Sequence, residues 1–145
     1  MGVEDLSLDQ ARTIIARSLG EGRSLGLKPL AVVVLDSGGH VRAFEREDGA
    51  STHRFHIAHG KAHGAIALGL GSRALMARAE QQPYFIAAVT SAIGGSLIPV
   101  PGGVLVTDEQ GKVLGAVGVT GDTSDNDEKA AVAGITAAGF VPKLD

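Results

Sequence analysis

Apolar residues first recur at helical spacing. Leu8, Ala11, Ile14, Ile15 and Leu19, with Ser18 among them, form one stripe and predict a helix over residues 7–25. Ser7 and Gln10 make a capping box, and Gly26 with Pro29 beyond it marks the stop. The pattern then changes period. Residues 30–35 are a continuous apolar run of strand length, 36–39 a turn, and 40–46 alternate in and out, which predicts a β-hairpin. A second hairpin is predicted from residues 104–107, a turn at 108–111, and 112–119. Gly115 and Gly118 inside its last strand predict another element packing closely there.

Helices are predicted between and after the hairpins. Residues 51–68 read as one helix, broken by Gly69 and Gly71. Ser72 is expected to cap a short helix to about Gln82, and Pro83 opens another segment to Ser91. Residues 92–103 are dense in Gly and Pro yet apolar, which suits a loop that lines a site. A last helix is predicted over residues 125–139, followed by a tail at 141–145. Its early Asp125, Asp127 and Glu128 suit the positive end of the helix dipole. The order is helix, hairpin, helices, hairpin, helix. Without βαβ alternation, this predicts one α+β domain over residues 1–145, an antiparallel sheet with helices on its faces.

Composition narrows the function classes. The chain has 145 residues, 44% of them hydrophobic but only 3% aromatic, so the core is expected to be Ala, Val, Leu and Ile. The formal charge of −3 gives no basic footprint for nucleic acid. Cysteine is absent, which removes disulfides, thiolate nucleophiles and zinc–thiolate sites. No apolar run reaches the roughly 18 residues of a membrane span. The N-terminal residues lack the basic and apolar regions of a signal peptide, and a cytoplasmic protein is expected.

The 51–68 helix carries the candidate chemistry. At about 100° per residue, Phe55, Ile57, Ala58, Ala62, Ala65, Ile66 and Leu68 share a face, and Lys61 falls among them. Burying an ammonium is costly unless it is paired or loses its proton. Asp122, Asp125, Asp127 and Glu128 supply candidate partners. On the opposite side His56, His59 and His63 lie within about 60° of one another, with His53 at the edge. His59 and His63 have the i, i+4 spacing that can hold a transition metal. Gly60 stands where the glutamate of His-Glu-x-x-His would be, so a zinc hydrolase lacks its base and no metal site is assigned. A haem or metal ligand, a polar subunit contact and plain solvent exposure remain open for these imidazoles.

The motif order resembles the haem-binding GlcG/HbpS-like family, which includes the C-terminal domain of PduO-type proteins. The matching pieces are residues 30–41 with the Asp36 and Gly39 turn, Ile57-Ala-x-x-Lys61-Ala62, and Pro101-Gly102-Gly103. The fourth is Gly115-Ala-Val-Gly-Val-Thr-Gly121 with Asp125-x-Asp127-Glu128. The likeness runs from the first helix to Ala138. The family pattern often reads Lys-Ala-x-Thr-Ala, whereas this chain has Lys61-Ala-His-Gly-Ala65. The resemblance implies a three-layer, profilin-like α/β domain with an antiparallel five-stranded sheet, assembled as a homo-oligomer. It implies binding of haem, another tetrapyrrole or a related small ligand; the candidate contacts are Pro101, Gly102 and Gly103 of the matching loop and His56, His59 and His63, which are extra to the family pattern. The alternative is a cofactor-free enzyme acting on an organic acid or carbonyl compound. There Lys61 would do acid/base chemistry with Asp122 or Glu128, and the Gly102 and Gly103 amides would hold an oxyanion. A third reading makes Lys61 a fixed structural ion pair.

Overall fold

A computed structural model describes residues 5–145. The elements are α1 (Leu8–Ser24), β1 (Ala31–Asp36), β2 (Val41–Arg46), α2 (Arg54–Leu68), α3 (Ser72–Gln81), α4 (Pro83–Ala92), β3 (Gly103–Thr107), β4 (Val113–Thr120), α5 (Ser124–Ala137) and β5 (Val141–Lys143). The strands form one sheet in the order β2-β1-β4-β3-β5, every neighbouring pair antiparallel.

Local signals set these elements. Ser7 Oγ accepts from Gln10 N while Gln10 Oε1 accepts from Ser7 N, closing the capping box. Both hairpins use the same turn chemistry. Asp36 Oδ1 accepts from Gly38 and His40 N–H, and Asp108 Oδ1 from Gln110 and Lys112 N–H. The predicted tail contains β5, a three-residue edge strand against β3. Its Pro142 is tolerated because an edge strand leaves one side unpaired.

The sheet is buried on both faces. Val32, Val34, Val104, Val106, Val117 and Val119 meet α1 and α5 in one core. Val33, Leu35, Leu105 and Ala116 meet Ala58, Ala62 and Ala65 of α2 in the other. A third cluster, around Leu75, Ile86 and Leu97, joins α3 and α4 to the segment after them. The predicted close approach is at Gly118, where a Cβ would overlap the Ala58 carbonyl and the Ala62 methyl. Gly103, its partner in the β3–β4 ladder, lies likewise against the Lys61 carbonyl. Two paired glycines thus let the α2 backbone sit directly on the sheet, which fixes the depth at which Lys61 enters the protein.

Candidate functional site

Two neighbourhoods on opposite sides of α2 hold the candidate residues. The first surrounds Lys61, whose side chain is 2% exposed. Its Nζ donates to Val119 O at 3.0 Å and to Asp127 Oδ2 at 3.1 Å. The other Asp127 oxygen accepts from Asp122 N at 2.9 Å. Because α2 and α5 cover opposite faces of the sheet, this contact ties the two outer layers together. Burial pushes Lys61 below the ordinary ammonium value, and Asp127 opposes that shift. Burial likewise pushes Asp127 above the ordinary carboxylate value, and Lys61 opposes it. Desolvation is the largest influence on both partners.

Of the four candidate partners, Asp127 is the one that reaches Lys61, and the acid/base candidates Asp122 and Glu128 are engaged elsewhere. Asp122 accepts from Asn126 Nδ2 and from Lys28 N, contacts that hold its carboxyl down at about 2. Glu128 pairs with Arg73 Nε at 3.0 Å, and the same guanidinium also meets Asp125. Asp127 takes the place expected of Asp122 or Glu128: it lies one turn into α5, on the side turned toward the sheet. Gly102 and Gly103 do reach Lys61, but as a lid over it. A Cβ on Gly102 would sit 2.9 Å from Lys61 Nζ. The expected oxyanion pair does not form, since Gly103 N already donates to Ser72 Oγ at 2.7 Å. The same contact draws Ser72 Oγ away from the predicted capping role; Gly71 occupies the N-cap. Pro101, Gly102 and Gly103 are buried and do not line the histidine cleft.

The second neighbourhood is a cleft of about 340 Å³ lined by His56, His59, Gly60, Gly94, Gly95, Ser96, Leu97 and Ile98. This volume lies at the lower end of the roughly 300–1,000 Å³ typical of small-ligand sites. Its wall is the Gly/Pro-dense segment that follows α4. Ile98 N donates to Gly60 O at 3.0 Å. A Cβ on Gly60 would lie 2.7 Å from Ile98 Cγ1, and one on Gly64 2.9 Å from Leu97 Cγ. So Gly60, which stands in place of a catalytic glutamate, and Gly64, which stands in place of the family threonine, form the seat of this loop.

The loop holds two imidazoles. His59 Nδ1 and Ser96 Oγ are 2.8 Å apart, and His63 Nδ1 donates to Ser96 O at 2.7 Å. A carbonyl only accepts, so the His63 proton is on Nδ1 and its Nε2 carries the lone pair in the neutral ring. Among the described residues neither Nε2 has a protein partner, and neither is fully buried. Burial, reinforced by His63 and His56, holds His59 below the ordinary imidazole value. No group of three or more His, Cys, Asp or Glu side chains suited to a metal occurs among the described residues. Larger clefts, of about 470 Å³ beside Arg23 and Arg46 and 630 Å³ between α1 and α5, contain no histidine. No helix among the described residues is long and apolar enough to cross a membrane.

The family model described as haem degrading protein HbpS-like matches residues 6–136. The chain belongs to this HbpS-like family. Its fold is that of PduOC, solved as a haem complex, with a TM-score of 0.82 at 21% identity over 94% of this chain and 96% of that one. A double mutant of HbpS from Streptomyces reticuli gives 0.80 at 26% identity over 96% and 90%. The Klebsiella pneumoniae protein ORFY gives 0.82 at 24% identity over 95% and 93%. Among curated proteins none matches the chain by sequence.

Proposed function

We propose that this HbpS-like protein binds haem or a related tetrapyrrole in the cleft between α2 and the 94–98 loop, with His56 or His59 as the iron ligand. The observation that carries the reading is the pair of imidazoles at the mouth of a cleft walled by Gly94, Gly95, Leu97 and Ile98. The donor set fits. Bare glycine backbone and aliphatic side chains suit the flat apolar face of a macrocycle. His59 presents Nε2 outward while Ser96 steadies its other nitrogen, the arrangement common for metal-bound imidazoles. Bound haem supplies an iron centre whose reactivity depends on its axial ligand and surrounding polarity. The chain's own part is to hold an imidazole neutral and oriented and to shield one face of the ring. Relatives point the same way: the family model is named for haem degradation, and PduOC was solved with haem.

Lys61, Asp122 and Glu128 take no chemical role in this reading. The burial of Lys61 beneath Gly102 and its pairing with Asp127 support reading it as a structural tie. Self-association into a homo-oligomer and a cytoplasmic setting complete the reading. The first is supported by α4, a mostly apolar helix whose Tyr84 is 70% exposed.

A haemin titration followed by absorbance tests the proposal. A saturating Soret shift at one haem per chain is expected, lost in His56→Ala or His59→Ala and retained in Lys61→Met. A non-saturating response in the wild type would refute it.

A further inference from the structure

His63 lies outside the haem cleft, yet it is held as firmly as His59. The two rings stack with centroids 5.3 Å apart and planes 15° apart. Phe55 stacks on the far side of His59 at 5.5 Å and 25°, so three rings form a column along α2. Ser96 anchors both imidazoles at Nδ1, one through its hydroxyl and one through its carbonyl. Both Nε2 atoms are left without a protein partner.

We propose that His59 and His63 form a two-imidazole site for a borderline divalent cation of the zinc, nickel or copper class, with water completing the coordination. The i, i+4 spacing puts the two Cβ atoms about 5–6 Å apart on one helix face. A single ion needs each Nε2 at about 2.0–2.1 Å. Two such nitrogens are at most about 4.2 Å apart, so the rings, with centroids 5.3 Å apart, must tilt toward each other at their Nε2 ends through their χ torsions. The donor set selects the metal class. Imidazole suits zinc, copper and nickel, whereas magnesium and calcium require oxygen ligands that this column lacks. Ser96 plays the outer-shell role, fixing ring orientation through the nitrogens that do not bind metal. The seat made by Gly60 and Gly64 brings Ser96 close enough to do so.

The site shares His59 with the haem reading and adds His63, which does not line the haem cleft, so the test uses protein free of haem and the His63 variant tells the two apart. Copper(II) is titrated into chelator-stripped protein, followed by its visible absorption and by electron paramagnetic resonance; zinc is followed by calorimetry. One ion per chain is expected, with a spectrum showing two nitrogen ligands, and with magnesium failing to compete. His59→Ala and His63→Ala each abolish saturable binding, and His53→Ala retains it. His63→Gln replaces the alanine variant if that one does not fold. Ser96→Ala weakens binding by about 10–100-fold, as outer-shell losses do. Unchanged affinity in the His63 variant overturns the proposal, as does failure to saturate at one ion per chain. If binding depends on His56 and not on His63, the pairing is wrong.

Discussion

Replacing Asp127 by alanine isolates the cost of a buried, unpaired charge. In the native protein both side chains of the Lys61–Asp127 pair are 2% exposed. The substitution leaves an ammonium with only the Val119 carbonyl as partner, and it strips the Asp122 amide of its acceptor. Breaking a buried pair from one side costs about 3–5 kcal/mol. At roughly 2–4 °C per kcal/mol for a chain near this size, the melting temperature should fall by about 6–20 °C. The intact pair also carries the cost of taking two charges out of water. Lys61 is pushed down and Asp127 up, so in both cases the folded state disfavours the charged form. The signs follow from linkage. The raised Asp127 value contributes stability only at acid pH, lost as pH rises through the folded value. The lowered Lys61 value contributes only at alkaline pH, lost as pH falls through the folded value. Burial thus offsets part of what the pair contributes. The double variant Lys61→Met/Asp127→Leu should therefore match or exceed the wild type, by up to about 4 kcal/mol. Urea unfolding of the wild type, both single variants and the double variant closes the cycle. An Asp127→Ala loss below about 1 kcal/mol, or a double variant as unstable as the sum of the singles, would refute the reasoning.

Three further outcomes are expected. Gly60→Ala should destabilise the protein and weaken haem binding despite alanine's helix preference of about 1 kcal/mol, because its methyl enters the space of Ile98; urea unfolding and the Soret titration check both. Ser18→Ala should be neutral or stabilising by about 1–3 kcal/mol, since it removes a buried hydroxyl that has no partner beside Gly134; a higher urea midpoint at unchanged slope is the signature. His59 should titrate below 6.5 in proton NMR. Its lowered value adds stability that is present above 6.5 and lost as pH falls through the folded value, so acidification should loosen the 94–98 segment, as hydrogen exchange at Ser96 would report.

Much of the fold was legible because period and punctuation agreed. The two hairpins follow from apolar runs flanking Asp-to-Gly turns, and α1 from its capping box. The fifth strand was expected only through family resemblance, since β5 has three residues and contains Pro142, too little for any periodicity. The buried lysine was visible on the helical wheel, but its partner was not. Four carboxylates lie within seven residues, and only the packing of α5 turns Asp127 toward the sheet while leaving Asp122 and Glu128 to Asn126 and Arg73. The histidine face is visible in the sequence as a ligand candidate, but what covers it is not. The covering loop comes from residues 94–98, more than thirty positions along the chain, and nothing local links them. The signal that was available lay in Gly60 and Gly64. Two glycines one turn apart on a helix weaken it, which calls for a close neighbour.

The central claim is the place where the tetrapyrrole sits. Ferric haem is paramagnetic, so substoichiometric haemin added to isotope-labelled protein broadens the amide signals nearest the iron. The account predicts selective loss at His56–Gly60 and Gly94–Ile98, abolished together with the Soret shift in the histidine variants. Broadening centred on the larger groove between α1 and α5, around Leu25 and Val132, would contradict it.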